Sequence, residues 1–179
     1  EQHRLAAENN KVKKESLKPQ EPVEDIGFIS VSAGEGLETL FKDLGCNYVV
    51  SGGQTMNPST QDLLEAVMAT PAKVVFLLPN NKNIIMAAEQ TVPLVRDRRV
   101  IVLPTKTIPQ GLSAMLSFDP ELSADENMEA MKEAASNVKT GSVTFAARNS
   151  EYGGFKIKEG DILALNDGKL SFIEKDAVK

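Results

Sequence analysis

One cysteine and one histidine in 179 residues remove several kinds of chemistry at the outset. With Cys46 alone there is no internal disulfide framework. With His3 as the only histidine, one copy of the chain cannot build a zinc site from His and Cys ligands. A His-based catalytic triad is not expected either. No apolar run approaches the roughly 20 residues that span a bilayer. The start, E-Q-H-R-L-A-A-E-N-N, has neither an initiator Met nor the apolar core of a signal peptide. A basic excess is also missing. The 20 Lys and Arg against 25 Asp and Glu leave a net charge of -5, which argues against nucleic-acid or anionic-membrane binding. The motifs G-x-x-x-x-G-K-[ST], H-E-x-x-H and G-x-S-x-G do not occur. These absences describe a cytoplasmic protein, read here as a fragment of a longer chain.

What remains is ordinary for a soluble globular protein, with 41% hydrophobic and 25% charged residues. The length suits one sizeable domain, or a domain with a small appendage. Residues 1–25 are polar and mixed in charge, with Pro19 and Pro22, and read as a linker from an upstream domain. Strand-like runs follow at 26–31, 47–51, 73–78 and 99–103. Each is followed by a glycine- or proline-containing polar loop and a helical pattern. Leu37, Leu40, Phe41 and Leu44 form the first such pattern, and Leu63, Leu64, Val67 and Met68 the second. Ile84, Ile85, Ala87 and Ala88 form the third, and residues 109–116 the fourth. The run K-V-V-F-L-L at 73–78 lacks polar alternation, so both its faces should be buried. Four strand–loop–helix units predict an α/β fold over 26–118: a mostly parallel, twisted sheet with helices on both faces.

Residues 119–175 should form a helix and a small antiparallel β element. Ser123 is placed to cap the helix, and Ala124, Met128, Met131 and Ala135 make a stripe that belongs in a core more often than on an interaction surface. The turn N-D-G at 166–168 between apolar runs is a hairpin signal. Cys46 reads as an inert buried thiol.

In an open parallel sheet, ligands bind beyond the carboxyl ends of the strands. Four polar loops should meet there: S-A-G-E-G at 32–36, S-G-G-Q-T-M-N-P-S-T at 51–60, P-N-N-K-N at 79–83 and P-T-K-T at 104–107. Their binding candidates are Glu35, Gln54, Thr55, Asn57, Ser59, Thr60, Asn80, Asn81, Lys82, Asn83, Thr105, Lys106 and Thr107. Such groups hydrogen-bond a neutral polar or anionic group, or another protein's backbone. Any one of them is also a normal helix cap or turn residue. G-E-G-L-E-T at 34–39 has two glycines of a dinucleotide fingerprint, but Thr39 stands where the third belongs and no acidic residue ends the second strand. Neither a catalytic pair nor a metal site is expected.

Four segments also carry a resemblance. G-G-Q-T-M-N-P-S-T followed by D-L-L, L-P-N-N-K-N-I with A-A-E-Q, V-L-P-T-K-T-I-P-Q-G and K-E-G-D-I-L-A-L-N-D-G-K occur in that order. They resemble the C-terminal region of the A subunit of bacterial fatty acid kinase, a family also labelled dihydroxyacetone-kinase-like or Dak-phosphatase. The resemblance implies a non-catalytic domain that docks a DegV-like, fatty-acid-carrying B subunit. ATP and magnesium would sit in an upstream domain, with no cofactor in this chain. The assembled kinase would phosphorylate the fatty acid carboxylate for phospholipid synthesis, and the full-length protein could form a homodimer. It also implies a further segment beyond Lys179. The older family label implies a phosphatase-like or small-anion-binding domain as the alternative.

Overall fold

The computed structural model describes residues 17–53, 56–139, 141–145, 149–152, 155–157, 162–166 and 169–174. Four strands, β1 (Glu24–Ser32), β2 (Tyr48–Ser51), β3 (Ala72–Leu78) and β4 (Arg99–Val102), form one sheet in the order β2-β1-β3-β4. All three pairings are parallel, as the strand–helix alternation requires. The connecting helices are α1 (Glu35–Asp43), α2 (Thr60–Ala69), α3 (Lys82–Glu89) and α4 (Ile108–Leu116), and α5 (Ala124–Asn137) follows. A short 3-10 turn at Val92–Leu94 takes up Pro93 after α3.

Strand periodicity splits the interior into two cores. Phe28 of β1 and Phe76 and Leu78 of β3 pack with Phe41 of α1, Met115 of α4 and Met131 and Ala135 of α5. Ile29 and Val31 of β1 and Val75 and Leu77 of β3 turn the other way, onto Leu63 and Val67 of α2 and Ile84 of α3. The expected two-sided burial is present over 75–78, while Lys73 at the start of the run is exposed, and the Met stripe of α5 lies in the first core. The Phe28 and Phe76 rings stack at 5.5 Å between centroids, with Phe118 edge-on to Phe28 at 4.8 Å.

Local signals set the helix starts. Ser59 and Asp62 form a capping box at α2, and Ser123 and Glu126 form another at α5. Asn81 caps α3 and Thr107 caps α4, where a proline occupies the first turn. Gly34 precedes α1 at φ 94° and supplies no side-chain cap.

The end of the polar leader is not a free tether. Gln20 N donates to Met68 O at 2.8 Å, and the N–H groups of Val23 and Glu24 donate to Pro71 O. Arg98, with a buried guanidinium, donates to Thr70 O at 2.6 Å, Met68 O at 3.2 Å and Gln20 O at 2.7 Å. One side chain thus closes the C-terminus of α2 and fastens the lead-in to β1. Its contact with Asp97 at 2.8 Å holds that carboxyl below its usual range.

Beyond α5 the described pairings are antiparallel: β5 (Gly141–Phe145) with β8 (Ile162–Asn166), β8 with β9 (Lys169–Glu174), and β6 (Ser150–Tyr152) with β7 (Phe155–Ile157). They form sheets separate from the parallel one. Asp167 and Gly168 of the N-D-G turn lie outside the described residues. Among the described residues, no helix is long and apolar enough to cross a membrane.

Cys46 is buried against Met115, with its Sγ 3.9 Å from the thioether sulfur. Burial pushes the thiol up from 9.0 to about 12, against a weaker opposing pull from the Ser30 hydroxyl. The raised folded-state value means that Cys46 destabilises the fold only as pH rises above 9.0 towards 12. In the folded chain at about pH 8, Cys46 should resist a soluble thiol reagent and react fully once urea unfolds it. Fast labelling of the folded chain would contradict its burial.

Gly27 makes a second test of the packing. A Cβ there would meet Thr70 Cγ2 at 2.5 Å, and Thr70 is held by its own bond to Ala66 O at 2.8 Å. Gly27→Ala should therefore reduce unfolding free energy by about 1–3 kcal/mol, read from the urea midpoint. An unchanged midpoint would show that β1 is not packed this tightly.

Candidate functional site

Because the four strands are parallel, their carboxyl ends share one edge of the sheet, and the loop residues 33–34, 52–53, 56–59, 79–81 and 103–107 lie along it. The order β2-β1-β3-β4 reverses direction between β1 and β3, so the switch point falls at Ser32 and Asn80. The thirteen rim candidates do not share one role there.

Asn80 is a structural bolt. It is 6% exposed and adopts φ 57°, a left-handed conformation that Asn tolerates better than most residues. Its N–H donates to Thr105 Oγ1 at 3.1 Å, and its Nδ2 donates to Val31 O at 3.0 Å. Its Oδ1 packs against Gly111 of α4, where a Cβ would collide with it. Asn80 thereby joins the ends of β1 and β3 to the β4 loop and α4. Thr105, fully buried, is the other half of this knot.

Four further candidates serve helix ends. Ser59 Oγ accepts from Asp62 N at 3.1 Å while Ser59 N donates to Asp62 Oδ2 at 3.0 Å. Asn81 Oδ1 accepts from Asn83 N at 2.9 Å, and Thr107 Oγ1 accepts from Gln110 N at 3.3 Å. Thr60 Oγ1 bonds Gln90 Oε1 at 2.9 Å, linking the start of α2 to the residue after α3. Ser59, Asn81 and Thr107 thus act as helix caps.

The remaining described candidates point to solvent. Glu35, Asn57, Lys82, Asn83 and Lys106 are all exposed. Besides the Asn83 N–H that Asn81 accepts, the Lys106 N–H donates to Gln110 Oε1 at 2.8 Å. Gln54 and Thr55 lie outside the described residues. Two exposed methionines join this set without having been singled out from the sequence. Met56 in the β2–α2 loop is 58% exposed, and Met86 on α3 is 69% exposed. Helical spacing puts Met86 four residues after Lys82 and three after Asn83, so the three share one face. The signal was available, since the buried residues of α3 are Ile84 and Ala88 and position 86 falls between them.

The rim therefore presents amides, two ammonium groups, one carboxylate and two thioethers around a rigid knot. These groups hold a surface by hydrogen bonds and adaptable apolar contact. Among the described residues, no group of three His, Cys, Asp or Glu is arranged to hold a metal ion. The one thiol, Cys46, precedes β2 and so lies toward the opposite edge of the sheet.

Comparison with known proteins gives the chain a family. Residues 27–179 match the family described as fatty acid kinase A-subunit-like, C-terminal. The chain is 47% identical over 144 residues to Protein YloV of Bacillus subtilis (strain 168), covering 80% of this chain and 26% of that protein. It is 39% identical over 176 residues to an uncharacterized protein of Staphylococcus aureus (strain USA300), covering 98% of this chain and 31% of that protein. The chain thus spans between a quarter and a third of the length of these relatives. On the strength of a match that runs from β1 to its last residue, it belongs to the family of C-terminal domains like that of the fatty acid kinase A subunit.

Proposed function

We propose that this chain is the non-catalytic docking domain of a protein like the fatty acid kinase A subunit. Its rim receives a DegV-like partner that carries the fatty acid. ATP and magnesium are held by a domain upstream of it in the full-length protein, which acts in the cytoplasm and supplies phospholipid synthesis. The observation that carries this reading is the division of labour at the rim. Asn80, Thr105 and the caps make the edge rigid, while Lys82, Asn83 and Met86 leave one face of α3 free for a partner.

The chemistry explains why a platform is needed. A carboxylate oxygen of the fatty acid attacks the γ-phosphorus of ATP, the bond to the β-phosphate oxygen breaks, and ADP leaves with acyl phosphate as product. Such a transfer depends on positioning and charge stabilisation. A docked carrier turns the encounter of fatty acid and ATP into an event within one assembly, at high effective concentration. A rigid rim with a polar face and two exposed thioethers suits that task, because Met adapts to an irregular partner surface.

The chain titrated with its cognate carrier should give a complex visible by calorimetry. Lys82→Ala combined with Met86→Ala should weaken it at least about tenfold, as loss of one or two anchor residues does. The thermal midpoint should stay unchanged, since both side chains are exposed. Unchanged affinity would remove α3 from the interface. An absence of both heat and chemical-shift change would overturn the docking reading. Turnover of a phosphoester or acyl phosphate by this chain alone would favour the phosphatase-like alternative instead.

A further inference from the structure

The start of α1 carries hydrogen-bond donors that the fold leaves unused. The helix begins at Gly34 without a side-chain cap. Among the described residues no group accepts from the N–H of Glu35, Gly36 or Leu37. The first N–H engaged is that of Glu38, which donates to Gly34 O at 3.1 Å. The approach is open, because a Cβ added at Gly34 or at Gly36 would meet nothing within 4 Å. A free helix start is ordinary when only water meets it.

Ser32 supplies a second, independent feature. It is 4% exposed, yet its Oγ has no hydrogen-bond partner. Buried hydroxyls are paired as a rule, because an unpaired one keeps its desolvation penalty. Ser32 lies four residues after Phe28, so it shares the face of β1 that packs against α1 and α4. It also ends β1 two residues before Gly34, which puts its Cα within about 7 Å of the helix start. Strand parity and chain length together aim the hydroxyl at the first turn of α1, from the sheet side. Asn80 Oδ1 is unpartnered as well, but it faces Gly111 of α4 and is closed off there.

The chemistry of this set selects its ligand. Three N–H groups and one hydroxyl all donate, and a helix N-terminus carries partial positive charge. The ligand must bring oxygens that accept. Two carboxylates stand in the first turn of α1. Glu38 is paired with Lys42 at 2.6 Å, while Glu35 is exposed and opposes incoming negative charge. Coulomb repulsion from Glu35 penalises a dianion more than a monoanion.

We propose that Ser32 and the N-terminus of α1 form a binding site for the oxyanion end of a small ligand, a carboxylate or a phosphate group. Its oxygens accept from the free N–H groups of the first turn, and Ser32 Oγ donates from beneath. The inference stands on α1 and the end of β1 alone and does not depend on what docks at the rim.

The test titrates the whole 179-residue chain, labelled with nitrogen-15, with sodium acetate and, separately, with sodium phosphate, each exchanged for chloride at fixed ionic strength. Either probe that binds should give saturable shifts at the amides of residues 34–37, and the tighter of the two names the group. Ser32→Ala should weaken that probe about fivefold, as loss of one hydrogen bond to a charged group does. It should not lower the urea midpoint, because the hydroxyl satisfies nothing in the fold. Glu35→Gln should tighten phosphate more than acetate, whereas the control Glu129→Gln, an equal change of net charge on α5, should leave both unchanged. Shifts that stay linear for both probes, or that spread over the surface, would overturn the proposal. So would equal binding by Ser32→Ala, a lowered midpoint in that variant, or equal gains in the two glutamine variants.

Discussion

β1 and β3 run in register from Glu24 opposite Ala72 to Ser30 opposite Leu78, and alternate residues of both enter two different cores. Neither strand has a face left for water, so helices must cover the sheet on both sides. Parallel crossovers of one hand then deliver α1 to one face and α2 and α3 to the other, and α4 after the last strand packs on the α1 face. They also bring every strand-to-helix loop to the same edge. The tight fit at Gly27 and the stacked Phe28 and Phe76 rings are local expressions of this constraint.

At the carboxyl edge the same pair produces the switch point, and Asn80 occupies it. Its bonds reach the β1 end and the β4 loop, and its Oδ1 seats on Gly111. Rigidity at the rim therefore comes from one buried amide and a hydroxyl rather than from a large apolar plug. The Lys82 and Met86 side chains, on the exposed face of α3, take no part in that knot. In the proposed docking, recognition falls to positions next to the knot, held in place by it. Arg98 plays a matching part at the C-terminal end of α2, where its guanidinium joins residues 68–70 to Gln20.

The parallel sheet was legible in the sequence because apolar runs separated by Gly- and Pro-rich loops carry a strong periodic signal. K-V-V-F-L-L announced its double burial, and the Met stripe of α5 announced its core face. The rim as a place was equally legible, since it follows from parallel topology. The roles of its residues were not. Asn80 and Asn81 are identical in type and adjacent, yet one is a buried bolt and the other a half-exposed cap. That difference depends on which side chain the β4 loop and Gly111 happen to meet, a long-range fact that no local pattern encodes. Arg98 was hidden for the same reason: a charged residue before an edge strand reads as surface, and its burial depends on carbonyls some 28 to 31 positions away. The leader looked like a linker throughout, although its last residues are bonded to Met68 and Pro71.

Whether the rim of this domain receives a carrier protein is a question of which amides the carrier covers. Amide hydrogen exchange on the full-length protein, with and without its fatty-acid-loaded carrier, addresses it without a substitution. Docking at the rim should slow exchange at residues 33–37, 56–57, 81–86 and 105–107, with the amides of β1 and β3 unchanged because they are already protected. Exchange at the rim that is indifferent to the carrier, with protection appearing elsewhere in the protein, would contradict it.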